Sequence, residues 1–310
     1  MSDVAAATGA VLGPVLVAAF ALVAAAASAA MEARSAGLPA RVGWRAPGRE
    51  VARLLRQQRR VVLGSDALLW RIGGTGLVVA SFLMVVVVPV GRVPAADLPL
   101  GVVWFTMVDV AVWALWWMLG WGANSVLPLI GGYRFLAQAL IYELPLMFAL
   151  MTPAVATGSL RVTDVVAAQD PLWFVVTMPV AFVVYCAGVA AFAAWGPLAA
   201  VSAPDVAGGV LAELSGPDRL VATAGRWCLL AAGAMFAVPM FLGGGHGPVL
   251  PPIVWFLVKT AALLAAFVAI GRLVPLLRPH RLAAIGWVVV LPVTLLQMLV
   301  TAIVAAVGRT

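Results

Sequence analysis

The sequence reads as an all-α, polytopic membrane protein with about eight transmembrane helices and a cytoplasmic amphipathic surface helix, on the strength of its composition, the length of its apolar runs and their lack of strand alternation. Of 310 residues, 64% are hydrophobic and only 10% charged, with a mean hydropathy of +1.10. A water-facing domain needs far more polar surface than that. The apolar residues come in runs of about 20, the length at which a helix crosses a bilayer. Barrel strands would alternate over about ten residues, and these runs do not. Backbone in lipid must satisfy its own hydrogen bonds, so the runs are read as helices. The chain reads as one integral membrane domain, 1–310, without soluble domains, low-complexity tails or clear internal repeats.

Eight spans are predicted in order, at about 9–31, 71–90, 100–119, 134–157, 171–194, 224–243, 252–271 and 286–307. The first lacks a basic leading region and is too long for a signal-peptide core, so it is read as a span. Between the first two spans, residues 48–62 place Val51, Leu54, Leu55 and Val62 near one helical face and Arg49, Arg53, Arg56 and Arg60 on the other. That pattern predicts an amphipathic helix on the cytoplasmic membrane surface. It serves as an orientation anchor or as a lip beside a lateral opening for a lipid-soluble substrate.

Charge orients the bundle. The first connection carries Arg34, Arg41, Arg45, Arg49, Arg53, Arg56, Arg59 and Arg60. The seventh carries Arg272, Arg278, His280 and Arg281, and the fifth adds Arg219, while the alternate loops hold Arg92 and Arg161. The positive-inside rule puts the basic loops in the cytoplasm and both termini outside. The net charge of +7 is therefore mostly topology. No aromatic stacking pattern accompanies it, so nucleic acid is not an expected partner.

Cys186 and Cys228 fall inside apolar runs and read as small hydrophobes rather than a disulfide or metal pair. Gly243-Gly-Gly-His-Gly247 reads as a turn between spans, because no phosphate-binding lysine follows it. No metal or bound redox cofactor is expected in this chain.

The most informative stretch is Gly120-Trp-Gly-Ala-Asn-Ser125, followed by Arg134, Gln138 and Tyr142-Glu-Leu-Pro145. It puts a carboxyl, Glu143, at membrane depth, where an ionisable group is costly and marks a functional site by default. The stretch closely resembles the G-W-x-S-N-S…R…Q…Y-E-I-P-L signature of the H-subunit (subunit 1) family of NADH-quinone oxidoreductase, respiratory complex I. Further segments are similar to that family in the same order. They are Glu32-Ala-Arg34 with Arg41-x-Gly43, Ala96-Asp-Leu-Pro-Leu-Gly101, Pro204-Asp205, Glu213-Leu-Ser-Gly216 and Trp255-Phe-x-x-Lys-Thr260. Pro275-x-x-Arg278 and Gly286-Trp287 through Leu291-Pro292 complete the set. Each is weak alone; the ordered set spans nearly the whole chain.

The departures from that family are specific. The third cytoplasmic loop is about seven residues shorter and reads Val206-Ala-Gly-Gly-Val-Leu-Ala212, without a carboxylate. Arg59-Arg60 replaces the acidic end of the surface helix, and His280 stands where the family has Asp. Asp109 appears inside the third span, where the family has a small polar residue.

The resemblance implies a membrane subunit that forms part of a quinone chamber and couples quinone reduction to proton translocation. An iron–sulfur cluster is implied only in a partner subunit, beside antiporter-like membrane subunits and the lipid bilayer. Buried carboxyls can hold or release protons near neutrality, so Glu143, Glu213, Asp205 and Asp109 are the candidate relay groups. Lys259 and Arg134 join them, and Arg134, Lys259 and Arg278 are the available counter-charges. Glu143 is alternatively a structural ion-pair partner of Arg134 or Lys259, Asp109 a plain interhelical hydrogen-bonding residue, and Glu213 and Asp205 solvated loop acids. Arg34, Arg41, Leu54 and Arg278 are the candidates for the quinone chamber or its entrance; Arg34 and Arg41 also fit simple topology charges. The shortened acidic loop keeps open a second reading, the membrane anchor of a related hydrogenase or other dehydrogenase. A stand-alone secondary transporter would show paired repeats with broken helices, which are not evident. The expected location is a bacterial cell membrane.

Overall fold

The computed structural model describes residues 2–91, 94–170 and 172–307; Arg92 lies outside the described residues. Its thirteen α-helices are α1 Ser2–Ser35, α2 Ala40–Trp44, α3 Ala46–Arg56, α4 Ala67–Met84, α5 Gly101–Gly122, α6 Val126–Thr157, α7 Val162–Ala167, α8 Phe174–Thr177, α9 Pro179–Phe192, α10 Gly216–Phe241, α11 Pro252–Leu273, α12 Pro279–Ile285 and α13 Leu291–Val307. Short 3-10 turns complete the loops, and no strand occurs among the described residues. Among the described residues, seven segments are long and apolar enough to cross a membrane: most of α1, all of α4, α5, α6, α10 and α11, and the continuous stretch Pro279–Val307.

The fifth predicted span is the exception. It is broken into α8 and α9 at Met178, whose φ of −130° and ψ of 53° are not helical. Pro179 is the cause: a proline disfavours helical backbone at the residue before it and supplies no N–H to continue the helix. α9 alone has 14 residues and still packs between α6 and α10.

α10 sits at the centre. Residues 228–241 are buried on every side, as an all-round apolar helix requires. Phe236 stacks on Phe105 of α5 at 3.9 Å, and Phe105 also meets Tyr185 and Phe192 of α9. Two polar tips in this aromatic cluster are satisfied: Tyr185 OH donates to Gly233 O at 2.8 Å and Trp116 Nε1 to Phe192 O at 3.0 Å. Small residues set the close approaches, as membrane helix packing requires. A side chain at Gly225 would strike Leu77 of α4 at 2.6 Å, and one at Gly120 would lie 3.0 Å from the Cα of Gly132.

The surface helix is shorter than predicted. It begins at Ala46 and ends at Arg56, because Gln57 turns to extended backbone with φ of −78° and ψ of 135°. Residues 57–60 pair with the loop before α10 instead. Arg60 N donates to Ser215 Oγ at 2.5 Å, Ser215 Oγ donates to Gln58 O at 3.2 Å, and Gly216 N donates to Gln57 Oε1 at 3.4 Å. Leu54 is 1% exposed and Leu55 60% exposed, so the bundle-facing side of α3 is narrower than the sequence pattern indicates. α2 reaches α1 through Gly43, whose missing side chain lets it rest on the backbone of Ala29 and Ala30.

The basic connections meet at one end of the bundle. Arg60 pairs with Glu213 and Arg272 with Glu32, at 2.8 and 2.9 Å. The described loop residues 85–91, 94–100, 158–170 and 242–251 lie at the opposite end, toward which α1 begins and α13 ends. Arg56 and Val249 are exposed at the two ends. A cysteine at Arg56 should react with an impermeant thiol reagent only from the side of the basic loops, and one at Val249 only from the other side. Labelling of both from one side would contradict this topology.

Candidate functional site

α5 and α6 form an antiparallel hairpin joined through Ala123, Asn124 and Ser125, with Asn124 in the left-handed region at φ 45°, which asparagine tolerates. The Gly120–Gly132 approach sets their register. Counting eleven residues away from the hairpin along each helix reaches Asp109 on α5 and Glu143 on α6. At about 1.5 Å per residue both lie roughly 16 Å deeper. Two equal helical steps from one contact therefore bring two acids to the same level.

The result is a buried carboxyl pair. Asp109 is 0% exposed and Glu143 7%. Their carboxyl groups lie within hydrogen-bonding reach of one another. If both are ionised, none of their four oxygens has a donor facing it, and Tyr142 OH and Trp113 Nε1 beside them close no well-aligned bond. A hydrogen bond across the pair needs a proton on one carboxyl. Two like charges in contact in a low-dielectric setting are strongly disfavoured, and a shared proton removes that penalty. The π-helical turn Gly286–Val290 before α13 packs at this level, with Gly286 against Ile141. Such turns often accompany functional sites.

The expected counter-charges lie elsewhere. Arg134 makes a bidentate pair with Asp205, at 2.8 and 2.7 Å, nine residues along α6 from Glu143. Lys259 is buried beneath the opposite loop. Its Nζ donates to the carbonyls of Leu242, Gly244 and His246 at 2.6, 3.0 and 2.7 Å and lies 4.0 Å from the Trp173 ring centre. Those carbonyls close the C-terminal end of α10, where a cation is favoured. Among the described residues no cation lies within ion-pair distance of Asp109 or Glu143.

Glu213 lies at the basic end. It accepts from Arg60 NH1 at 2.8 Å through Oε2 and from Ser125 Oγ at 3.1 Å through Oε1, and Arg59 lies 3.6 Å from Asp218. The Arg59-Arg60 departure is thereby explained, since Arg60 meets an acid of the loop leading into α10 and Arg59 an acid in the first turn of α10 itself. Gln138, one turn from Arg134, donates to Ala191 O at 2.9 Å and leaves Oε1 without a partner. Arg34, Arg41 and Arg278 stand exposed on the basic end. Leu54 is packed inward beneath α3. Cys186 and Cys228 are free.

Three participants were not singled out from sequence. Trp113 and Tyr142 border the carboxyl pair; Trp113 is signalled only by its spacing of four from Asp109, and Tyr142 only by its place beside Glu143. Gln169 is 0% exposed and ties three segments together. Its Nε2 donates to Val165 O at 3.0 Å and Pro239 O at 2.7 Å, and its Oε1 accepts from Gly243 N at 2.8 Å.

Known proteins resemble this chain in sequence over most of its length. The NADH dehydrogenase family model matches residues 5–302. The chain belongs to that family. Similar relatives include the H 1 subunit of NADH-quinone oxidoreductase from Geobacter metallireducens, 33% identical over 267 residues, which are 82% of this chain and 81% of the relative. The H 2 subunit from Geobacter sulfurreducens is also 33% identical over the same shares. The H 2 subunit from Cereibacter sphaeroides is 34% identical over 84% of this chain and 82% of its own length. The ordered motifs and these matches point to the same family.

The ion pairs and the lysine can each be tested by substitution. The Arg134 guanidinium holds the Asp205 carboxyl below the usual carboxylate range, chiefly through its hydrogen bond. A depressed carboxyl stabilises the fold above its unfolded pKa, and that stability is lost as pH falls through the folded value. Arg134→Gln should therefore lower thermal stability most near neutral pH, and the gap to the parent should close on acidification. A gap that widens in acid would contradict the pairing. Lys259→Met should leave three carbonyls without their charged donor and destabilise by about 2–4 kcal/mol in denaturant titration. No change would mean that the carbonyls do not depend on the ammonium.

Proposed function

We propose that this chain is the quinone-side membrane subunit of a bacterial NADH-quinone oxidoreductase, and that Asp109 and Glu143 together form its proton-holding group. The carrying observation is the α5–α6 register, which brings two carboxyls to one level, buried, in mutual reach and away from every described cation. The relatives described above support the enzyme class.

Quinone reduction takes two electrons and two protons. The headgroup's change of charge has to be sensed by polar groups and passed into the membrane. Glu213, held by Arg60 and Ser125, and Asp205, held by Arg134, are placed at the basic end for the first task. Arg134 and Gln138 lie along α6 between that end and Glu143. A shift in the Asp205–Arg134 pair changes the field at the carboxyl pair, which can accept or release one proton without leaving two bare charges in lipid. Lys259 sits on the far side of the pair and fixes the loop that closes α10. We assign Arg34, Arg41 and Arg278 to the face on which the peripheral, iron–sulfur-bearing partner docks, with antiporter-like subunits as lateral neighbours. Leu54 is assigned to the apolar wall behind that face.

Glu143→Gln and Asp109→Asn keep shape and hydrogen bonding but hold no exchangeable charge. Each should leave the complex assembled, with stability within about 1 kcal/mol of the parent, since an amide N–H replaces the shared proton as donor. Coupled quinone reduction and proton pumping should fall sharply in both, and Glu143→Asp should retain part of each. The double variant should be no worse than the more damaging single one, because residues acting as a unit are non-additive. Normal pumping in the Gln variant would overturn the assignment. So would a loss of about 3–5 kcal/mol, the cost of stranding a buried counter-ion.

A further inference from the structure

A second site lies on the outside of the bundle, where α1 meets α2 and α3. Positions 45, 48, 49 and 52 fall at i, i+3, i+4 and i+7 and so share one face. They are Arg45, Gly48, Arg49 and Ala52, and they look toward Leu22, Val23 and Ala26 of α1 across a cavity of about 590 Å³. Gly48 leaves this face open, because a side chain there would meet nothing within 4 Å. The floor is apolar and lies along α1, nine to thirteen residues from its basic end at Ser35, or roughly 13–20 Å along the axis. The rim is cationic. Trp44 joins it and is 52% exposed, the placement an indole takes at a membrane interface.

The rim charges are available. Among the described residues Arg45 has no hydrogen-bonding or ion-pair partner for its side chain. Arg49 spends one donor on Val42 O at 2.8 Å and keeps the others of its guanidinium. No acid lines the cavity. The neighbouring acids are engaged elsewhere, Glu50 with Arg53 at 2.6 Å and Glu32 with Arg272 at 2.9 Å. Free guanidinium groups above an apolar slot at the membrane edge match a molecule with a phosphate at one end and hydrocarbon at the other.

We infer that this groove is a binding site for an anionic phospholipid, with its phosphate on Arg45 and Arg49 and an acyl chain along Leu22, Val23 and Ala26. The lipid wedges α3 against α1 and holds the surface helix at a fixed height. The inference requires only that the chain sit in a bilayer, so it stands apart from the proton-holding role of Asp109 and Glu143.

The test uses the assembled complex, reconstituted in nanodiscs with a trace of phosphatidylglycerol bearing a photoactivatable group on its acyl chain. Phosphatidylcholine with the same group serves as the zwitterionic comparison. Cross-linked peptides should map to residues 22–26 and 44–52, with severalfold more adduct from the anionic probe. Arg45→Gln with Arg49→Gln should reduce that adduct to the phosphatidylcholine level, while Arg281→Gln at another basic loop leaves it unchanged. Ala52→Leu, which fills the floor and keeps the charges, should also reduce it. Equal adduct from both lipids would overturn the inference. So would loss of adduct on adding excess short-tailed quinone, which would make the groove a quinone port, or cross-links only to a neighbouring subunit seated there.

Discussion

The cost of an uncompensated charge in hydrocarbon governs this molecule. The chain has twelve acidic residues, and among the described residues only Asp109 and Glu143 lie deep within the membrane-crossing helices. The other ion pairs are set at the two ends, where water lowers their cost: Arg60 with Glu213, Arg134 with Asp205, Arg272 with Glu32 and Arg161 with Asp97. Lys259 meets the same constraint differently, by giving its charge to three backbone carbonyls. The deep pair meets it, in the role we propose, by sharing a proton. One constraint thus accounts for the basic end of the bundle, for the closed turn after α10 and for the group we assign to coupling.

The glycines make that arrangement possible. Gly120 and Gly132 bring α5 and α6 into contact and fix the level at which Asp109 faces Glu143. Gly225 and Gly43 do the same for α10 on α4 and for α2 on α1. Each removes a side chain at a crossing, so that dispersion between backbones replaces the hydrophobic drive that lipid does not supply. The register is therefore a packing result, with the chemistry resting on it.

Much of this was legible in the chain. The apolar runs marked the spans, the arginines marked the end at which the loops gather, and the ordered motifs marked the family. The α5–α6 pairing was also written there, as two glycines each eleven residues from an acid, although nothing in the local pattern announces which helices touch. What failed to show in the sequence depends on distant partners. The fifth span reads as unbroken because its apolar run continues through Pro179, whose effect on Met178 is local and easily outweighed by hydropathy. Residues 57–60 are good helix formers, yet they are drawn into extended backbone by Ser215, Glu213 and Asp218, more than 150 residues away. Lys259 seemed free to serve Glu143 because its true partners, backbone carbonyls, leave no mark on a sequence.

We assign to Asp109 and Glu143 one proton held between them at membrane depth. Infrared difference spectroscopy of the assembled complex, recorded between oxidised and reduced quinone, reads it most directly, because a protonated carboxyl has a C=O stretch separate from that of a carboxylate. A buried-carboxyl band should change on quinone reduction, shift in heavy water and disappear in both Glu143→Gln and Asp109→Asn. A spectrum without such a band, or one in which the band survives either substitution, would rule out a proton shared by these two residues.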